Sequence, residues 1–83
     1  MKVKVYVSLK KGVLDPQGKA VLNTLHSLNY KEFTDVRVGK FFEIEISPEI
    51  KDKNLIEKKI KEIAEKVLSN PIIESYSYEI LEE

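Results

Sequence analysis

The 83-residue chain contains no cysteine, which excludes a disulfide framework, a thiolate metal site and a cysteine nucleophile together. It has one histidine, His26, and without a second imidazole or a thiol an ordinary zinc site cannot be built from this chain alone. An excess of either charge is missing too. Fourteen basic and 14 acidic residues give a formal net charge of zero, which removes the electrostatic footprint expected of a partner for nucleic acid or an anionic membrane. No apolar run approaches the length of a membrane span, and no leader with an apolar core opens the sequence, so a cytoplasmic location is expected. Arg37 is the single arginine in a charged fraction of 34% dominated by lysine and glutamate, a balance that leans towards a heat-adapted source. The length fits a single domain over 1–83, which buries only about 60% of the surface its unfolded chain exposes. Its core is therefore expected to be thin.

What is present is a clear succession of apolar periods. Val3, Val5, Val7 and Leu9 alternate with Lys2, Lys4, Tyr6, Ser8 and Lys10, the period of a half-buried strand. From Pro16 the period turns helical, with Val21, Leu22, Leu25 and Leu28 on one stripe and Asn29 where a left-handed C-terminal cap would sit. Phe33–Val38 and Phe41–Ile46 read as two strands joined at Gly39-Lys40 in a hairpin, or as one long bent strand. After the Ser47-Pro48 break, Ile56, Ile60, Ile63, Ala64 and Val67 mark a second amphipathic helix, for which Asn54 and Glu57 offer a capping box. Asn70-Pro71 stops it, and Ile72–Leu81 supplies a last strand with Tyr76, Tyr78 and Ile80 on one side. The order βαββαβ predicts an α+β ferredoxin-like sandwich, an antiparallel sheet with two helices on one face. The other face, carrying Tyr6, Phe41 and Ile73, is left open, which points to a homodimer formed through sheet faces or edges.

Catalytic patterns are nearly absent. The serines lack a neighbouring base signature and no Gly-x-Ser-x-Gly elbow occurs. Glu43 and Glu45 alternate with Ile44 and Ile46, as a solvated sheet face does, and nothing beside them would raise a carboxyl pKa. Gly12 and Gly18, with Lys10, Lys11 and Lys19 near a helix start, could present N–H groups to an anion. The spacing is not that of a P-loop, however, and Asp15 would place a negative charge where the anion must sit. An RNA recognition motif is suggested by Tyr6 with Phe41 or Phe42, but Glu43, Glu45 and the absence of the full aromatic string argue against it. The residues themselves thus predict no catalytic, cofactor or metal site on this chain.

The most particular stretch is Leu9–Val21. Asp15 can cap a helix N-terminus and Pro16 fits its first position, whereas Gly18 in a first turn costs about 1 kcal/mol relative to alanine. The helix rule asks for neither Gly12 nor Gln17 nor Gly18, so something else must want them. This string, together with Val5–Lys10, Val36–Lys40 and Leu68–Tyr76, resembles the PurS family, the small subunit of phosphoribosylformylglycinamidine (FGAM) synthase, over nearly the whole chain. The resemblance implies a non-catalytic subunit of an ATP-dependent amidoligase of purine biosynthesis. It would bridge a synthetase subunit (PurL) and a glutaminase subunit (PurQ) and assist ammonia transfer, while the complex uses glutamine, ATP and Mg²⁺. Three candidate partner-binding patches follow from the matching positions. The first is Lys10, Gly12, Asp15, Pro16, Gln17 and Gly18, the second Arg37, Gly39 and Lys40, and the third Asn70 and Pro71. Each has a structural alternative, since Asp15 and Pro16 can serve only as caps, Gly39 only as a turn and Asn70-Pro71 only as a stop. No backbone rule asks for Gln17, Arg37 or Lys40, which makes these three the favoured intermolecular hydrogen-bonding groups. A stand-alone regulatory domain of the ACT type, binding a small metabolite at a dimer interface, is the alternative.

Overall fold

The computed structural model describes residues 1–82, so Glu83, the last residue of the expected domain, lies outside them. Strand β1 (Lys2–Leu9) forms where the valine alternation predicts it. Its odd residues point to one side, where Val3, Val5 and Val7 are buried, while Tyr6 is exposed. Helix α1 (Pro16–Ser27) follows, then β2 (Gly39–Glu45), helix α2 (Lys53–Ile63) running into a π-helical turn (Ala64–Leu68), and β3 (Glu74–Leu81). The three strands form one antiparallel sheet in the order β2-β1-β3. Val5 is paired with Phe42 on one flank and Tyr78 on the other.

The core lies between this sheet and α2. Val3, Val5 and Val7 meet Ile56, Ile60 and Ala64, with Tyr76, Tyr78 and Ile80 packed alongside. Ile56, Ile60 and Ala64 recur every four residues, so they fall on one helical stripe. Two hydroxyls tie α2 and its π turn to β3: Tyr78 donates to Glu57 Oε1 at 2.7 Å and Tyr76 to Glu65 Oε1 at 3.4 Å. The first bond, together with burial, pushes the Tyr78 phenol up to about 12, because it exists only while the hydroxyl keeps its proton.

The α+β class, the antiparallel sheet and the two helices are as expected, and their order is consistent with the ferredoxin-like arrangement. Three details differ. The anticipated strand Phe33–Val38 joins no ladder and the Gly39-Lys40 hairpin does not form, because both residues already belong to β2, where Gly39 pairs with Ser8. Helix α2 is capped by Asp52, whose carboxylate accepts from the N–H groups of Asn54 and Leu55, not by an Asn54–Glu57 box. Lastly, among the described residues α1 contributes nothing to the core. Its buried residue is Gly18, and Val21, Leu28, Tyr30 and Phe33 are exposed.

The molecule is consequently flat and long, 51 × 29 × 14 Å, with a radius of gyration of 16.5 Å. A compact chain of this length has about 12 Å. Helix α1 itself is well made. Pro16 is its first residue, and the chain leaves it through Asn29 at φ 73°. Tyr30 N–H reaches Leu25 O and Asn29 N–H reaches His26 O, the paired bonds of a Schellman exit. What α1 lacks is a surface of its own sheet to cover.

Candidate functional site: a carboxylate clamp at one end of the sheet

The three sequence patches converge at the end of the sheet where β1 finishes and β2 and β3 begin. Asp15 is the centre. Its Oδ1 accepts from Gly18 N–H at 2.9 Å, the expected N-cap, and its Oδ2 accepts from Val38 N–H at 2.8 Å. It therefore joins the first turn of α1 to the residues leading into β2. At 7% exposure it is a buried carboxylate, and a buried charge persists only when paired and hydrogen-bonded. The Gly18 and Val38 N–H groups, and after them the Arg37 guanidinium 4.0 Å away, hold its pKa below the ordinary carboxylate range. An ionised group whose two oxygens are already occupied is a poor candidate for a general base. It also fills the helix N-terminus that an anion would need, so the phosphate reading has no room here.

Gly18 is explained by the same junction. A Cβ at this position would lie 2.1 Å from the Val36 carbonyl oxygen, so only glycine lets α1 approach the 36–38 segment this closely. Arg37 is spent inside the chain. One terminal guanidinium nitrogen points at the carbonyls of Leu9, Lys10 and Val13 at 3.4, 3.3 and 3.5 Å, holding the loop that contains Gly12. This accounts for the missing strand: the segment 33–38 gives its Val38 N–H to Asp15, its Phe33 carbonyl to His26 Nε2 at 2.7 Å, and its arginine to the loop. His26 thus closes the far end of the same segment.

Lys10 N–H donates to Ile73 O, which brings the third patch alongside. There Glu74 Oε1 accepts from Asn70 N–H at 2.7 Å, Asn70 Oδ1 accepts from Ile72 N–H, and Glu74 Oε2 faces Lys40 Nζ at 3.9 Å. Pro16, Gln17, Gly39, Lys40 and Glu74 border a hollow of about 210 Å³. A larger cleft of about 430 Å³ lies on the other side of Asp15, beneath Gly12, Leu14, Lys19, Leu22 and Asp35. Of the three favoured hydrogen-bonding residues, Gln17 and Lys40 remain exposed at this rim, and no hydrogen bond engages the Gln17 side chain among the described residues. Sequence reasoning missed Glu74, whose place opposite Lys40 depends on the register of two strands that both pair with β1.

No cluster of three or more His, Asp or Glu is placed to hold a metal ion among the described residues. No helix there is long and apolar enough to cross a membrane. On the open sheet face Tyr6 stacks on Phe41 with ring centroids 5.3 Å apart, and Lys4 lies over the same ring. Glu43, bonded to Lys2, and Glu45 stand on that face in solvent, as expected.

This is a small α+β module with a polar clamp at one end of its sheet. A family model described as PurS, phosphoribosylformylglycinamidine (FGAM) synthase, matches residues 2–82. The chain is 52% identical over 81 residues to the phosphoribosylformylglycinamidine synthase subunit PurS of Bacillus subtilis, covering 98% of this chain and 93% of that one. The solved structure of B. subtilis PurS has a TM-score of 0.81 over 98% of both chains. Identity to the PurS subunit of Archaeoglobus fulgidus is 42%, over 88% of this chain and 89% of the other. A chain of the PurLQS structure from Thermotoga maritima, 25% identical, gives a TM-score of 0.85 over 96% of this chain and 95% of its own. The chain belongs to the PurS family. It is a subunit of FGAM synthase, an enzyme of purine biosynthesis, and the enzymatic activity is that of the complex.

Proposed function

We propose that this chain is the non-catalytic subunit that bridges the synthetase (PurL) and glutaminase (PurQ) subunits, so that ammonia released from glutamine reaches the synthetase site. ATP and Mg²⁺ are used by the complex, in the cytoplasm. The likeness to a chain of the Thermotoga maritima PurLQS structure, TM-score 0.85 over 96% of this chain, carries the reading. The residues support it through the Asp15 carboxylate, whose acceptors are consumed by backbone, and through exposed Gln17 and Lys40 at a rim built from three separate segments. Gly12, Asp15, Gly18 and Arg37 shape that rim from within, and Lys10, Pro16, Gly39, Asn70 and Pro71 complete it.

The working unit in this reading is a homodimer. A sheet ordered β2-β1-β3 keeps the outer edge of β2 unpaired, where the second strand of the ferredoxin-like order would lie, and a free edge invites another chain. Phe42 and Ile44 on the core side of β2, and Ile46 just past its end, are only partly covered, while α1 exposes Val21 and, at its C-cap, Leu28, and adds no residue to the core among the described residues. A second copy satisfies both needs at once, its α1 lying over the uncovered part of this sheet and this α1 over its own.

The test is reconstitution: purified synthetase and glutaminase subunits of the same organism, with glutamine, ATP and Mg²⁺, are assayed for amidine formation with and without this chain. Glutamine-dependent activity only in its presence supports the bridging role. Equal activity without it contradicts that role.

A further inference from the structure

We propose that Asp15 is a conformational clamp that sets the attitude of the α1 lobe, residues 14–38, for docking on a second copy of the chain, an inference that rests on the homodimer reading above. An N-cap needs one acceptor. Asp15 supplies two, to backbone donors in segments 20 residues apart in sequence, Gly18 and Val38. Gly18 removes the side chain that would separate the same two segments, and Arg37, beside the carboxylate, fastens the lobe to the Leu9, Lys10 and Val13 carbonyls. All of these contacts act on the lobe that exposes Leu14, Val21, Leu28, Tyr30 and Phe33. None acts on the core cluster of the sheet and α2, to which α1 adds no residue. The clamp therefore orients an apolar surface without holding the core together, the arrangement required of a docking element whose partner is another molecule.

Two substitutions separate the clamp from the cap. Asp15→Asn keeps an oxygen for Gly18 N–H but turns an amide donor towards the Val38 donor, and Asp15→Ser keeps a capping hydroxyl too short to reach Val38. Both preserve the helix start. In the isolated chain, each variant is expected to speed exchange of the Val38 amide by about tenfold or more, with β1 amides unchanged. Sedimentation is expected to show the homodimer dissociation constant raised by about tenfold. A Val38 amide as protected in both variants as in the wild type overturns the clamp. A freed Val38 with an unchanged dissociation constant overturns its bearing on docking. A wild-type chain that stays monomeric at all concentrations overturns the homodimer reading and the docking claim with it, while Val38 exchange still decides the clamp.

Discussion

On one side of β1, Val3, Val5 and Val7 are sealed beneath α2 by Ile56, Ile60 and Ala64; in the α1 lobe of the same chain, Leu28 is 62% exposed and Leu14 73%. Both regions place aliphatic side chains at regular helical or strand spacing, so hydropathy does not separate them. The difference lies in what the backbone does around each. The sheet half has two complete ladders flanking β1, and its apolar face finds a cover within the chain. In the α1 lobe the connecting segment 33–38 is bound to the helix start through Asp15 and to its end through His26, which takes it out of the sheet and leaves the helix face outward. Apolar surface held in place but not covered is what the proposed docking of a second copy requires.

The strongest break of this comparison is a truncation in each half. Ile60→Ala removes a buried side chain from the core and is expected to cost about 2–4 kcal/mol of unfolding free energy, a large share of the stability of so small a domain. Leu28→Ala, in a side chain mostly in water within one chain, is expected to change monomer stability by less than about 0.5 kcal/mol. Urea denaturation at low protein concentration measures both. A second contrast sharpens what glycine does at the clamp. Gly18→Ala must displace the Val36 carbonyl, a strain of about 1–3 kcal/mol that outweighs the roughly 1 kcal/mol gained in helix propensity. Gly12→Ala meets no atom within 4 Å, but Gly12 sits at φ 87°, where an alanine costs about 1–2 kcal/mol through its own backbone. Thermal unfolding ranks the two, and amide exchange at Val38 is expected to respond to Gly18→Ala alone.

Much of this was legible in the sequence. The strand alternation of β1, the Asp15 cap, Pro16 at the first helical position, the Asn29 exit and the Ser47-Pro48 break are local rules, and local rules are visible in a string of letters. What was not legible depends on pairs far apart. Phe33–Val38 has the composition of a strand, yet its Val38 N–H is taken by a carboxylate 23 residues earlier. Arg37 is asked for by no backbone rule, and its role became clear only when the Leu9, Lys10 and Val13 carbonyls converged on it. The cap of α2 is a closer contest, with Asp52 and Asn54 both able to serve. Asp52 wins because its carboxylate reaches two N–H groups. Asp52→Ala is accordingly expected to cost about 1 kcal/mol, and Asn54→Ala close to nothing, by urea denaturation.

The smallest effects distinguish the halves by pH. Asp15 has its carboxyl pKa lowered on folding by the Gly18 and Val38 N–H groups, so its contribution is present above the unfolded value of about 3.9 and is lost as pH falls through the lower folded value. Tyr78 is raised to about 12, so its contribution is present below the unfolded value of about 10 and is lost as pH rises from there through the folded one. Amide exchange followed across pH is expected to loosen Val38 first in acid and the α2–β3 contact first in alkali. Loss of both at the same extreme would contradict the assignment of the two groups to separate regions.

The division of labour between the halves is tested most directly by residue-level amide exchange on the wild-type chain over a wide range of protein concentration. The account predicts that protection across α1, Pro16–Ser27, falls on dilution as the partner leaves, while β1, Lys2–Leu9, keeps its protection. Protection of α1 that is independent of concentration would contradict the claim that this helix finds its cover on a second molecule.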